Sequence, residues 1–342
     1  MQILEDFDLA ALTTFAVPAR ARAFVEITDE RELIPALEYA QDEQLSLLIL
    51  GGGSNILFTD DYPGLVVHMA IPGIAVDPGA GERHRLRVGA GENWHRFVMF
   101  CLKHGFYGIE NLVLIPGTVG AAPMQNIGAY GVELADVFVE LTALEVNSGD
   151  IWTFDRSDCR FGYRDSVFKH GRPGELIITS VTLELHGEPA VNASYGALQE
   201  ELAARDASSA PAPADVAAAV MAIRRRKLPD PAVLPNCGSF FKNPVIDAGI
   251  RDALRERFDQ MPEFPVADGK PGQVKVPAAW LLDQAGWKGK RRGALGVHRE
   301  QAVVIVNYGG ATGAQVVSLA RDMQQSVMDG FGITLEPEVR II

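Results

Sequence analysis

Cysteine is scarce: Cys101, Cys159 and Cys237 are the only three in 342 residues. Their odd number and wide separation argue against a disulfide framework, and they show no CxxC or Cys/His spacing of the zinc-holding kind. A reduced, cytoplasmic setting fits this usage. Basic charge is also short, with Lys+Arg 31 against Asp+Glu 44 and a formal net charge of −13. That balance argues against a broad footprint for nucleic acid or an anionic membrane, so an anionic ligand must be held locally. No apolar run reaches the roughly 18 to 20 residues of a membrane helix. The opening MQILEDFDLAAL has neither a basic n-region nor an apolar h-region, so neither export nor a membrane span is expected. The seven histidines show no ligand spacing, and no metal site is predicted. A G-x-S-x-G elbow is missing. So is a P-loop, since the Gly-Lys steps at Gly269 and Gly289 continue with Pro and Arg.

What is present is a globular composition, 47% hydrophobic and 22% charged, in a chain long enough for two or three domains. Glycine, at 34, and proline, at 20, exceed their usual share and predict many tight turns. Leu33, Leu37 and Ala40 share a helical face, although Pro35 sits badly in that helix. Strands are predicted at 45–50, 65–68, 84–88, around 138–146 and around 176–186, with a helix over WHRFVMFCLKHG. The Ala/Pro/Ser/Asp stretch from 203 to 215 reads as a surface connection before a helix ending in Arg224, Arg225, Arg226 and Lys227. Beyond KLPDP come a helix with Ile250, Ala253, Leu254 and Phe258 on one face, and AAWLLDQAG with Gly286 as its C-cap. A buried strand VVIVN follows, then a helix opening on a Thr312/Gln315 capping box and stopping at Gly330. In the final GITLEPEVRII, Ile333, Leu335, Pro337, Val339 and Ile341 alternate with Thr334, Glu336, Glu338 and Arg340, which sets an acid and a base side by side on one face.

Two glycine-rich segments carry the first chemical signal. In GGGSN, Gly51, Gly52 and Gly53 permit a close backbone approach to a phosphate, and Ser54 and Asn55 add donors; a plain tight turn is the bland alternative. In the run from 110 to 131, Gly117, Thr118, Gly120, Ala121, Asn126 and Gly128 leave a groove in which backbone amides can meet a ligand, or else form a loop of several turns. Two such loops in one domain suggest a long ligand with a diphosphate. Arg164, beside Tyr163, offers a planar fork for a carboxylate, with a surface arginine as the alternative. Ser239 lies in a loop where acylation has no support, so its chemistry would be proton donation; a capping serine is the other reading. The run Arg224 to Lys227 is either a solvated helix end or a diphosphate anchor. His95 reads as structural.

Taken together and in order, GGGSNILF, GAGENWH, ENLVLIPGTVGAAPMQNIGAYGVEL, CRFGYRDSVFKH, KLPDP, GSFFKNP, GVHREQA and LEPEVR closely resemble the UDP-N-acetylenolpyruvoylglucosamine reductases of bacterial cell-wall synthesis, over nearly the whole chain. The resemblance implies an α+β protein with a PCMH/vanillyl-alcohol-oxidase-type FAD-binding fold and a separate α/β substrate-binding domain. It implies residues 1–67 plus 331–342 as one FAD-binding subdomain, 68–218 as a second, and 219–330 as the substrate domain. FAD and NADPH are the implied cofactors, and UDP-N-acetylglucosamine enolpyruvate is the implied substrate, reduced to UDP-N-acetylmuramate by a cytoplasmic monomer. By the family pattern Arg164, Ser239 and Glu338 are catalytic, Ser239 as proton donor and the other two at the substrate carboxylate. Gly51, Gly52, Gly53, Ser54, Asn55, Gly117, Thr118, Gly120, Ala121, Asn126, Gly128, Arg224 and Arg340 are the implied cofactor contacts. Tyr163, Tyr195 of SYGAL, Lys227 and Asn243 are the implied substrate contacts, and the tyrosine loop is similar to that of the longer family type. Cys237 departs from the family's alanine, and TVGAAP from its serine-bearing loop. Two other readings are an oxidase of the same fold acting on a small alcohol, and a catalytically silent nucleotide-sugar or flavin binder. Tyr195, Lys227 and Asn243 argue against the first, and the presence together of Arg164, Ser239 and Glu338 against the second.

Overall fold

The computed structural model describes residues 1–78, 82–170, 174–205, 210–266 and 270–342. Gly269 and residues 206–209 of the surface connection lie outside the described residues. The chain forms two compact units, one of residues 1–7, 21–53 and 62–225, the other of 8–20, 54–61 and 226–342.

The first unit holds two sheets. In one, the strands run in the order Ile3–Asp8, Arg20–Ile27, Tyr62–Met69, Leu47–Leu50. Tyr62–Met69 is parallel to both Arg20–Ile27 and Leu47–Leu50. The apolar runs LLIL and LVV fit strands covered on both faces. Helix Leu33–Asp42 joins this core through Leu33, Ala36 and Ala40. Pro35 falls in its first turn, where a missing N–H costs nothing, so the residue that looked out of place starts the helix instead of breaking it. The second sheet is antiparallel, in the order Ile151–Asp155, Phe138–Glu145, Leu176–His186, Arg83–Gly89, Ile74–Pro78. Helix Trp94–His104 packs Trp94, Phe97, Val98 and Cys101 into the core of this sheet. Its ends are set by Asn93, which accepts the Arg96 N–H, and by left-handed Gly105.

The second unit combines small antiparallel sheets with helices. One sheet runs Arg291–Arg292, Leu295–Val297, Ile305–Asn307. Helix Gly313–Phe331 has the predicted Thr312/Gln315 capping box, but it runs past Gly330 and is capped by left-handed Gly332. Leu254 is buried on helix Ala248–Arg257 whereas Ile250 is exposed, so the apolar face is narrower than predicted. Ile333, Leu335 and Val339 are buried while Thr334, Glu336 and Arg340 are exposed, so most of the terminal alternation holds; Pro337 and Glu338 are both half-buried, and Ile341 breaks it, being exposed. Arg340 and Ile341 pair in parallel with Ile56 and Leu57. Through this pairing residues 331–342 group with the second unit, and helix Pro213–Lys227 stays with the first as far as Arg225, a division different from the one the family resemblance implies. All three cysteines are buried and free. Burial raises each thiol pKa, that of Cys159 to about 12, which leaves them chemically quiet.

Candidate active site

In the first unit the two glycine-rich loops meet. Gly51–Gly53 leave the carboxyl end of strand Leu47–Leu50, where open parallel sheets bind ligands. A side chain on Gly52 would come within 2.7 Å of the Gly117 Cα, and one on Gly51 within 2.8 Å of the Thr118 Oγ1. Only glycine allows this approach, and Gly53 (φ +58°) and Gly117 (φ +117°) also need its left-handed freedom. Gly120 serves packing instead: its Cβ would strike Ala90 at 2.5 Å. Thr118 Oγ1 and Arg224 Nε are buried and have no hydrogen-bond partner among the described residues. Arg224 thereby departs from the solvated helix end, for burial pushes its pKa below the ordinary guanidinium value. Tyr130 opposes that shift, and the like charge of Arg164 adds to it. The next three residues, Arg225, Arg226 and Lys227, are exposed.

Arg164 sits in a tight hairpin closed by Gly162 and Asp165, whose backbones exchange hydrogen bonds of 3.0 and 3.2 Å. Its own φ is +54°, rare for arginine, which throws the side chain back toward residues 126–128. There the guanidinium donates to the Gly128 carbonyl at 2.6 Å and to that of Asn126 at 3.5 Å. A Cβ on Gly128 would lie 3.1 Å from this guanidinium, so glycine makes room for it. Asn126 is buried, with a left-handed φ of +43°. Tyr163 is exposed on the same turn, with the Arg164 guanidinium 5.4 Å from its ring centre. Tyr195 is exposed at the start of helix Gly196–Ala204 and meets Tyr130 edge to face at 5.5 Å. Asn111 ties this loop down by donating to the carbonyls of Tyr130 and Asn192. His95 is structural as expected: it accepts the Leu114 N–H at 3.3 Å, and burial, with Arg225, lowers its pKa.

In the second unit, Ser239 and Glu338 lie on neighbouring segments. The Glu338 N–H donates to the Phe240 carbonyl, the Lys242 N–H donates to the Glu336 carbonyl, and Phe241 pairs antiparallel with Pro337. Lys242 Nζ closes the pair on Glu336 at 2.6 Å. Ser239 is exposed. Asn55 anchors the Glu338 segment, since its side chain donates to the Glu338 carbonyl and its own carbonyl accepts the Arg340 N–H. Asn243 uses its side-chain oxygen to accept the Ala278 N–H at the start of helix Ala278–Gln284, which leaves its amide group for other partners. The structure thus splits GGGSN, with Gly51–Gly53 in one unit and Ser54 and Asn55 in the other. Arg164 belongs to the first unit, Ser239 and Glu338 to the second. Sequence reasoning missed Asn111 and Glu133, whose signals are slight: a polar side chain heading the apolar run LVLI, and an acid just after GAYGV.

A parallel sheet carrying a glycine-rich turn, joined to a five-stranded antiparallel sheet, defines an FAD-binding flavoprotein of the vanillyl-alcohol-oxidase type. Residues 21–155 match the family model for an FAD binding domain. The fold is shared with 6-hydroxy-D-nicotine oxidase of Arthrobacter nicotinovorans, at a TM-score of 0.54 and 15% identity over 97% of this chain and 86% of that one. Residues 230–342 match the family model for the UDP-N-acetylenolpyruvoylglucosamine reductase C-terminal domain. The chain is 49% identical to the UDP-N-acetylenolpyruvoylglucosamine reductase of Chromobacterium violaceum over 100% of its own length and 99% of the relative's. It is 48% identical to that of Pseudomonas aeruginosa over 99% and 98%. The crystal structure of the Thermus caldophilus enzyme covers 99% of this chain and 98% of its own, with a TM-score of 0.67 and 24% identity. The chain belongs to the UDP-N-acetylenolpyruvoylglucosamine reductase family.

Proposed function

We propose that this chain reduces UDP-N-acetylglucosamine enolpyruvate to UDP-N-acetylmuramate with NADPH as reductant, a step in building the peptidoglycan precursor. Near-half identity along the entire chain carries the reading. The residues present fit FAD: the glycine cradle of Gly51, Gly52 and Gly117 admits a close backbone approach, and the unpartnered Thr118 Oγ1 and Arg224 Nε are donors waiting for an acceptor. When bound, FAD supplies a two-electron carrier that accepts hydride from NADPH and delivers it to the enolpyruvyl methylene carbon.

This chain's residues handle the charge and the proton. Hydride arrival at the methylene leaves negative charge on the adjacent carbon and its carboxylate. Arg164, its guanidinium aimed by the carbonyls of residues 126 and 128, holds that carboxylate through charge-assisted hydrogen bonds. Ser239, exposed on its loop, donates its hydroxyl proton to the adjacent carbon and recovers one from solvent. Glu338, fixed by backbone bonds to Phe240 and Asn55, orients the enolpyruvyl group. Tyr195, Tyr163, Lys227 and Asn243 take the sugar nucleotide, with Lys227 and the free amide of Asn243 at its diphosphate. Arg340 and Ser54 are assigned to the flavin side. By role, residues 1–67 plus 331–342 and residues 68–218 are assigned as the two flavin subdomains and 219–330 as the substrate domain, an assignment that cuts across the two compact units. The three free thiols and the acidic net charge support a cytoplasmic protein without a nucleic-acid or membrane partner, and the assignment as a monomer follows the family resemblance alone; among the described residues no helix is long and apolar enough to cross a bilayer.

The deciding experiment is an anaerobic visible spectrum of the FAD-loaded protein, titrated with NADPH and then with UDP-N-acetylglucosamine enolpyruvate. Bleaching by the first and recovery with the second is the expected result. A flavin band that NADPH leaves untouched would point instead to an oxidase.

A further inference from the structure

The Asn126 side chain is spent inside the protein. Its amide nitrogen donates to Glu133 Oε2 at 2.7 Å and to the Gly162 carbonyl at 3.2 Å, while its oxygen accepts the Ala135 N–H at 3.0 Å. Both amide hydrogens are used and the residue is 1% exposed, so no donor remains for a ligand. This excludes a cofactor contact through the Asn126 amide hydrogens. One of the residue's three bonds, that to Gly162, joins two pieces of chain that both hold Arg164, and the other two brace the side chain on residues 133–135. The 126–128 segment carries the carbonyls that aim the guanidinium. Gly162 closes the hairpin from which the Arg164 side chain springs. Glu133 is fixed in turn, because its carboxylate accepts the Asp136 N–H and its own N–H donates to the Asp136 carboxylate.

We propose that Asn126, braced by Glu133, is a positioning residue for Arg164: it sets the distance between the Arg164 backbone and the two carbonyls that aim its guanidinium. The proposal rests on the reading of Arg164 as the group that holds the substrate carboxylate. A fork that must meet a planar anion through paired bonds tolerates little displacement, and misplacement by about 1 Å costs on the order of 100-fold in rate. Asparagine suits the place twice over, since it accepts the left-handed backbone and supplies the bridging amide.

The test uses Asn126→Gly, which keeps the left-handed conformation and removes only the side chain, with Glu133→Ala and Glu133→Gln as companions, all in the FAD-loaded enzyme. The readouts are flavin content, bleaching by NADPH, and kcat/KM for the enolpyruvyl nucleotide. Asn126→Gly should lower kcat/KM about 10- to 100-fold at unchanged flavin content and bleaching rate. Glu133→Ala should fall in the same direction, and Glu133→Gln should recover most of the loss, because its carbonyl still accepts from Asn126. On an Arg164→Met background, Asn126→Gly should cost no more than about twofold further. Full additivity in that double variant overturns the positioning role while leaving the role of Arg164 intact, as does a loss that follows flavin content. An Arg164→Met enzyme with undiminished kcat/KM overturns both. Should Asn126→Gly fail to fold, the Glu133 pair decides: equal rates for Ala and Gln overturn the proposal.

Discussion

A serine hydroxyl is a weak acid, and it can serve as a proton donor only to a carbon already carrying charge. Ser239→Ala should therefore leave bleaching by NADPH nearly intact and slow recovery of the flavin band with the enolpyruvyl nucleotide by about 100-fold or more. Stopped-flow absorbance separates the two phases, and an unslowed second phase removes Ser239 from the chemistry. Another residue acts on the fold alone. Glu110 is buried; one carboxylate oxygen accepts the Gly108 N–H at 2.7 Å and the other has no partner among the described residues. Burial raises its pKa above the ordinary 4.5, with backbone bonds and His186 only partly offsetting this. A carboxyl whose folded pKa is raised favours the fold when protonated, so its contribution is full below pH 4.5 and is lost as pH climbs through the raised value. Glu110→Gln, neutral at every pH, should be at least as stable at pH 7 as the parent and should flatten the pH dependence above 4.5. Urea midpoints across that range provide the check, and a destabilised, equally pH-dependent variant contradicts it.

Among elements, the contact of the two glycine turns is the most demanding. A methyl on Gly52 meets backbone at Gly117, not a side chain that can swing away, so one turn must shift. Gly52→Ala is expected to cost about 1–3 kcal/mol and to shed flavin on gel filtration; retention of flavin at parental stability would show that the turns give way freely. Both turns were visible in the sequence because glycine clusters advertise their backbone, and the long strands at 138–145 and 176–186 were visible through their apolar runs. The terminal alternation likewise placed Glu336 and Glu338 away from the core side taken by Leu335 and Val339. What could not be read was polar geometry. Nothing in the residue type tells whether Asn126 faces a ligand or a neighbouring carbonyl, and a left-handed arginine leaves no trace in composition. The Arg224 to Lys227 run looks uniform in sequence, yet burial singles out Arg224.

At the scale of the whole molecule, the second unit is assembled from three separate stretches of chain. Phe15, Val17 and Leu57 sit in the same apolar cluster as Phe240, Val304 and Leu319. Asn307 donates to the Phe15 carbonyl 292 residues away, and such a contact has no local periodicity that could announce it. Residues 226–342 expressed alone should therefore lack a cooperative melt, whereas adding 8–20 and 54–61 as peptides should restore part of it. A sharp transition in the isolated stretch would count against this account of the core. For a genome, the same threading has a price. A recombination event that copies the C-terminal half as a single block would deliver a core missing two of its strips, so this unit cannot travel as a cassette into another gene.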